Sequence, residues 1–238
     1  MKGNWRDEFD QKMLGVLRAH GVTAFLQTAT SLLNVNASGA TDVRAQMVGE
    51  LCEVVLQGLT EQYFKDRKVE GKFYHSVVLP DLGNMKSSYR TELDAVIATP
   101  YFILTTECKS YKGSISLRGK GSIVRNGSTM DVYKQSLGHH KALVKFGEQL
   151  VIPGTGIAKP PIFANGFIFS NGEISDDRSS SDQGAFTFLT LSSLYRYYDE
   201  MYRRYTSRVF DMEKMHKVFT VCSESVALHA EHKSYLGY

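Results

Sequence analysis

Apolar positions recur at helical spacing near the start of the chain. Met13, Leu14, Val16 and Leu17 form one run, and Phe25, Leu26, Leu32 and Leu33 a second, with Gly21 between them. This spacing predicts helix over 5–34. The small polar stretch Asn36-Ala-Ser-Gly-Ala-Thr41 predicts a loop, and 42–64 a second helical region. From Lys72 to Ile123 the period shortens. Strands are predicted at Val77–Leu79, Leu93–Ala98, Tyr101–Cys108 and Ser114–Leu117. A helix follows from Asp131 to Gly147, with Ser128 or Thr129 as its N-cap and Asp131 in its first turn. Strands at Ile162–Ser170 and Ala185–Leu191 come next, and a final helical region covers Leu194–Leu228. Segments 151–161 and 171–184, with their Pro, Gly, Ser and Asp, predict surface loops. Helix, antiparallel strands, helix, strand is the order of an α/β layered sandwich with a mixed sheet.

Length and composition narrow this picture. A chain of 238 residues with 42% hydrophobic and 22% charged positions can bury a core and is not globally disordered. One decorated domain is the expectation. A net charge of +3 and a pI near 8.6 suit a polyanionic partner without requiring one. Cys52, Cys108 and Cys222 are odd in number and far apart, which argues against a disulfide framework or a Cys-x-x-Cys zinc site. Three reduced thiols in a cytoplasmic protein are the expectation. No secretory leader and no membrane-spanning apolar run is visible.

The chemistry concentrates between Glu92 and Gly113. Side chains alternate faces along a strand, so Glu107 and Lys109 share one. With Thr99-Pro100 as a two-residue connection, Asp94 lies opposite Thr105 and Glu92 opposite Glu107. Glu92, Asp94, Glu107 and Lys109 then project from one face, with Leu93, Ala95, Ile97, Phe102, Leu104 and Cys108 on the other. Any even-length turn keeps that arrangement. Asp94 and Glu107 become diagonal neighbours about 7 Å apart. Two carboxylates at that spacing suit Mg²⁺ or Mn²⁺, which prefer hard oxygen ligands. Such an ion activates water and polarises a phosphate, and a lysine beside it orients the water or stabilises negative charge. A surface salt-bridge ladder of the same residues is the other reading.

Two more segments bear on this. On a helix, Met47, Glu50, Leu51 and Val54 fall on one apolar stripe, where Glu50 needs a partner, either a metal or an Arg or Lys. Glu53 reads as solvated. Gln135, His139, Ala142, Leu143 and Phe146 form another stripe, with Gln135 and His139 at the rim of the core. Gln135 is placed to hold a water or a phosphate.

Gly49-Glu50, Glu92-Leu93-Asp94, Glu107-Cys108-Lys109 followed by Gly113, and Gln135 with His139 four later together resemble the nuclease-related domain (NERD) family of the PD-(D/E)xK nuclease superfamily. The resemblance runs from Gly49 to Phe146. Leu93 stands where the superfamily name has proline, and Met130-Asp131 where many members have Asn-Pro. The resemblance implies a central four-stranded mixed sheet flanked by helices, and Mg²⁺-dependent cleavage of nucleic acid, most often DNA. It implies Asp94 and Glu107 as metal ligands with Glu50 and the Cys108 carbonyl, Lys109 as the catalytic lysine, and Gln135 as an accessory residue. Defence against foreign DNA follows only from the family's usual company.

Residues 1–41 then read as an N-terminal helical extension, 42–191 as the nuclease core, and 192–238 as a C-terminal helical region. Lys112, Arg118, Lys120 and Arg125, with His139, are the expected nucleic-acid contacts, on double-stranded DNA. Tyr195-Arg-Tyr-Tyr198 and Tyr202-Arg-Arg-Tyr205 could stack on bases, but an amphipathic helix with buried tyrosines is the preferred reading. The alternatives to an endonuclease are a non-catalytic nucleic-acid-binding or assembly module, and a structural subunit that oligomerises through helices 5–34. A homodimer or a partner protein stays open.

Overall fold

The computed structural model describes residues 5–34, 43–79, 91–179 and 186–235. The loop expected at Asn36–Thr41, the side chain of Met47 and the strand start at Ala185 lie outside the described residues or side chains. The elements are α1 (Trp5–Leu33), α2 (Val43–Arg67), β1 (Lys72–Leu79), β2 (Thr91–Ala98), β3 (Ile103–Tyr111), β4 (Ile115–Arg118), β5 (Ser122–Arg125), β6 (Ser128–Asp131), α3 (Val132–Gly147), β7 (Ile162–Ser170), β8 (Ile174–Asp176), β9 (Thr187–Leu189), α4 (Leu194–Arg204) and α5 (Met212–Tyr235). Gly21 interrupts α1 with φ +80°, a backbone state glycine adopts without steric penalty.

The main sheet has the order β1-β2-β3-β7-β9. β1, β2 and β3 are antiparallel neighbours, whereas β7 and β9 run parallel to β3. The sheet is mixed as expected, with β9 as a fifth strand. One face buries Ala95, Ile97, Leu104, Cys108 and Phe167 under α1, α2 and α4. The other buries Val96, Ala98, Ile103 and Ile162 under α3 and α5. The fold is α/β, a mixed sheet flanked by helices. A second small sheet, β6-β5-β4-β8, continues from the end of β3 and closes a third cluster around Ile115, Leu117, Ile123 and Val132. Among the described residues no helix is long and apolar enough to cross a membrane.

Four sequence expectations change. The β2–β3 turn is four residues long, Thr99–Phe102, because the Thr99 hydroxyl donates to the Phe102 carbonyl at 2.7 Å and accepts the Phe102 N–H at 2.9 Å. Ala95 therefore pairs with Thr106 and Ala98 with Ile103, a shift of two residues that brings Asp94 level with Glu107. The long C-terminal helix is two helices. Val209 and Phe210 donate to the Pro100 carbonyl instead of continuing α4, and the Asp211 carboxylate accepts the N–H groups of Glu213 and Lys214 to start α5. The expected cap at Ser128 or Thr129 belongs to β6, and Asp131 caps α3 by accepting the Lys134 N–H at 2.8 Å. β5, β6 and β8, short and weakly patterned, were not predicted.

The preferred reading of the C-terminal tyrosines holds. Tyr198 is buried and shares a 2.8 Å hydrogen bond with Thr60. Tyr63 packs against the rings of Tyr195, Tyr198 and Tyr202. Arg67 forks onto Asp199 and Arg208 onto Glu70.

Candidate metal-dependent active site

The candidate site lies in a fork between two strands. The β2–β3 ladder ends at Ala95–Thr106, and the strands part beyond it. Asp94 spans the opening, where its Oδ2 accepts the Cys108 N–H at 2.8 Å. The carboxylate thus takes the place of a strand partner. The β1–β2 ladder is also interrupted here: His75–Ala95 and Val77–Leu93 pair, but Ser76 and Asp94 between them do not. Ser76 has φ +49°, a conformation a serine rarely adopts, held here by the packed sheet on either side.

The interruption swaps the faces of β2. Ala95 and Ile97 pack under α2, but Leu93 packs with Val96 and Ala98 on the α5 side. Leu93 was expected with Ala95 and Ile97, and Glu92 in line with Asp94. Glu92 is instead exposed, and its charge acts on Arg6 and Glu50. Strict alternation fails where the backbone leaves β geometry.

Glu107, Lys109 and His139 complete the cluster. The Glu107 side chain is wholly buried. Its Oε1 accepts from the Lys109 ammonium, and its Oε2 lies 3.1 Å from His139 Nδ1 without a well-aligned hydrogen bond. Burial pushes the Glu107 carboxyl up, but His139 and Lys109 outweigh it and hold the group below the usual carboxylate range. Asp94 shifts the other way, to about 6, through burial and the adjacent Glu107 charge, against the Cys108 N–H and Lys109. Burial lowers Lys109, and the Glu107 and Asp94 charges more than restore it, so its ammonium is kept. Two carboxylates with opposed shifts sit side by side, as expected of acidic groups arranged for chemistry and not for packing.

Among the described residues no three His, Cys, Asp or Glu side chains form a ready metal cage. Mg²⁺ takes one or two carboxylates and fills its remaining positions with water and phosphate, so the pair Asp94 and Glu107 fits it. The Glu107 Oε2 atom, buried without a hydrogen bond, beside an Asp94 raised by like charge, is a donor set that a divalent cation would satisfy.

Of the α2 carboxylates, Glu50 meets one of its two expected partners and Glu53 departs from expectation. Arg6 of α1 donates through Nε to Glu50 at 2.6 Å, and a second nitrogen forms the ion pair. Arg6 also reaches Glu53 at 3.5 Å. The partner of Glu50 is therefore an arginine, the plainer of its two expected partners. Glu53, expected to be solvated, is 13% exposed, with Oε2 buried and unpartnered. Burial first, and then the charge of Glu50, push its carboxyl well up, and Asp94 adds to the shift. Periodicity missed Glu53 because α2 is covered on two sides: Leu51, Cys52, Val54, Val55 and Leu56 are all buried, so no single stripe marks the inward face. Asp10 and His75 extend this group, 4.0 Å apart. Burial raises Asp10 to about 7 and lowers His75.

Gln135 is exposed, one turn before His139 on α3. The Cys108 thiol, buried and pushed well up by burial, neighbours Cys52, and the Asp94 and Glu53 charges add to the shift. All three cysteines are free and buried. Among the basic residues, Lys112 reaches the Asn34 carbonyl at 3.5 Å, Arg118 pairs with Asp177 at 3.2 Å, Lys120 is exposed, and Arg125 stacks on Tyr111.

Residues 49–163 match the family model of the nuclease-related domain, NERD. No curated protein and no solved structure matches the chain. The matched span contains the forked strands and the α3 residues around Glu107, and leaves α1 outside it. Over residues 49–163, just under half of its length, the chain is similar to the nuclease-related domain family.

Proposed function

We propose that the chain is a metal-dependent nuclease, a DNA endonuclease acting in the cytoplasm. The observation that carries the reading is the convergence of Asp94, Glu107 and Lys109 in the β2–β3 fork, with opposed shifts on the two carboxyls. Asp94 and Glu107 would hold Mg²⁺ or Mn²⁺, with the carbonyl of Cys108, the residue after Glu107, as a further ligand. When bound, the ion supplies an activated water and charge neutralisation at the phosphate. The protein's own groups do the rest. Glu107, held ionised by Lys109 and His139, offers oxygens that need no proton removed near neutral pH. Lys109, kept charged, positions the attacking water and neutralises charge that develops on the phosphoryl oxygens. His139 fixes the Glu107 carboxylate from the α3 side. Gln135, exposed one turn away, is placed to touch substrate.

A non-catalytic nucleic-acid module is the competing reading, favoured by one observation: Arg6 already neutralises Glu50. The test is incubation of purified protein with plasmid, linear and single-stranded DNA and with RNA, in Mg²⁺, Mn²⁺ or EDTA, beside Asp94→Ala and Lys109→Ala. Cleavage that requires the ion and disappears in both variants is the expected result. Equal cleavage by the variants, or none by the parent chain, overturns it.

A further inference from the structure

The second sheet brings one arginine to the catalytic strand. Along β3, Glu107, Lys109 and Tyr111 alternate onto the same face, about 7 Å from one to the next. Arg125, at the end of β5, lies over the Tyr111 ring with its guanidinium carbon 5.6 Å from the centroid. Its Nε is buried and makes no hydrogen bond. Arg118 of the same basic group is engaged by Asp177, so the group is not one equivalent patch. Arg125 is the member held over Tyr111 of β3, with its Nε unpaired.

The element that carries it has a defined shape. β5 and β6 form a hairpin, Ser122 pairing with Asp131 and Arg125 with Ser128. Asn126 and Gly127, at φ +49° and +77°, make the tight turn that matches strand twist. β6 ends the small sheet, and all four of its residues are exposed. The Tyr111 hydroxyl donates to Met130 Sδ at 3.2 Å, so the hairpin is pinned to β3 two residues past Lys109. Between Gly119 and Asp131 the charges are Lys120, Arg125 and Asp131, and the Asp131 carboxylate is committed to capping α3.

A two-stranded ribbon fits the major groove of B-form DNA, about 12 Å wide, and does not fit the deep, narrow major groove of A-form RNA. We propose that the β5–β6 hairpin docks in the major groove of duplex DNA, and that Arg125 on its Tyr111 platform grips a backbone phosphate neighbouring the one at Lys109. The proposal rests on the nuclease reading only for which phosphate lies at Lys109.

Fluorescence anisotropy of the full chain in EDTA, where no bond is cut, tests it with a labelled DNA duplex, an RNA duplex of the same sequence and single-stranded DNA. The DNA duplex binds roughly tenfold or more tightly than the RNA duplex. Arg125→Gln weakens DNA binding roughly tenfold and lowers the salt slope by about 1, whereas Arg125→Lys keeps most of both. Thr129→Glu, on the exposed edge where folding is not at stake, weakens it as well. Parent-like affinity in Arg125→Gln and Thr129→Glu, equal affinity for both duplexes, or no duplex binding by the parent overturns the proposal. Cleavage in Mg²⁺ separates the two readings. Cutting by a chain whose DNA binding ignores Arg125 and Thr129 removes this proposal alone. Hairpin-dependent binding without cutting removes the nuclease reading alone.

Discussion

Two buried acidic regions lie close together in this protein, and they are compensated differently. In the β2–β3 fork, Asp94 and Glu107 are balanced by groups from the strands and α3: the Cys108 N–H, Lys109 and His139. Beneath α1, Glu50, Glu53 and Asp10 depend on one guanidinium, Arg6, from a helix outside the matched domain. The fork keeps two carboxylates side by side, with Glu107 Oε2 facing His139 Nδ1 at 3.1 Å. In the α1–α2 region Arg6 pairs with Glu50 and reaches Glu53, and all three carboxyls stay raised by burial and by their neighbours' charge. The difference is one of partners: strand and α3 groups in the fork, and a single α1 guanidinium beneath α1.

The strongest test of that separation is activity. Lys109→Ala is expected to lower Mg²⁺-dependent cleavage by about 10²–10³-fold, and Asp94→Ala to remove it, both with folding retained by circular dichroism. Arg6→Lys is expected to cleave at near the parental rate. A large loss of kcat in Arg6→Lys with normal stability would merge the two regions into one site.

Stability is expected to rank them in the opposite order. Arg6→Ala leaves Glu50 and Glu53 without their cation and is expected to cost about 3 kcal/mol in urea denaturation. Asp94→Ala in EDTA is expected to change stability far less, because it removes like-charge repulsion along with one hydrogen bond.

A pH experiment tests the α1 region further. Asp10 titrates at about 7 in the folded state against 3.8 for a free aspartate. The folded state holds that proton more tightly, so the contribution is complete below the unfolded value and is lost as pH rises toward 7. Asp10→Asn is therefore expected to lose less stability than the parent between about pH 5 and about pH 8. Parallel stability curves would show that Asp10 does not carry the effect. Asp94, at about 6, follows the same sign, and divalent-ion affinity measured by calorimetry is expected to weaken as pH falls below about 6, where protons compete for it.

The smallest effect belongs to Glu53. Its carboxyl is pushed well up by burial, so Glu53→Gln replaces a group already driven toward neutrality. Stability at neutral pH is expected to stay level or rise slightly. A clear loss of stability would show that Glu53 is held charged by Arg6.

Much of the candidate site was legible in the chain because strand alternation is local. Glu107 and Lys109 had to share a face, and Asp94 joined them for any even-length turn. The four-residue turn at Thr99–Phe102 changed the register by two and kept Asp94 with Glu107, while the interruption at Ser76 and Asp94 took Glu92 and Leu93 off their expected faces. Glu53 was not legible, because burial of α2 from two sides depends on α1 and the sheet and leaves no stripe in the sequence. Nor was the break between α4 and α5. It exists because Val209 and Phe210 find the Pro100 carbonyl, more than a hundred residues away.

The sequence by itself determined the α/β class, the chemical set of Asp94, Glu107 and Lys109, and the family to which it points, since these follow from periodicity and residue type over short spans. Only the tertiary structure decided which distant groups meet. It joined Arg6 to Glu50, His139 to Glu107 and Arg125 to Tyr111, pairs separated by 44, 32 and 14 residues. The reason is physical: a buried charge is tolerated only with a partner, and the partner is whichever group the packing of distant elements delivers.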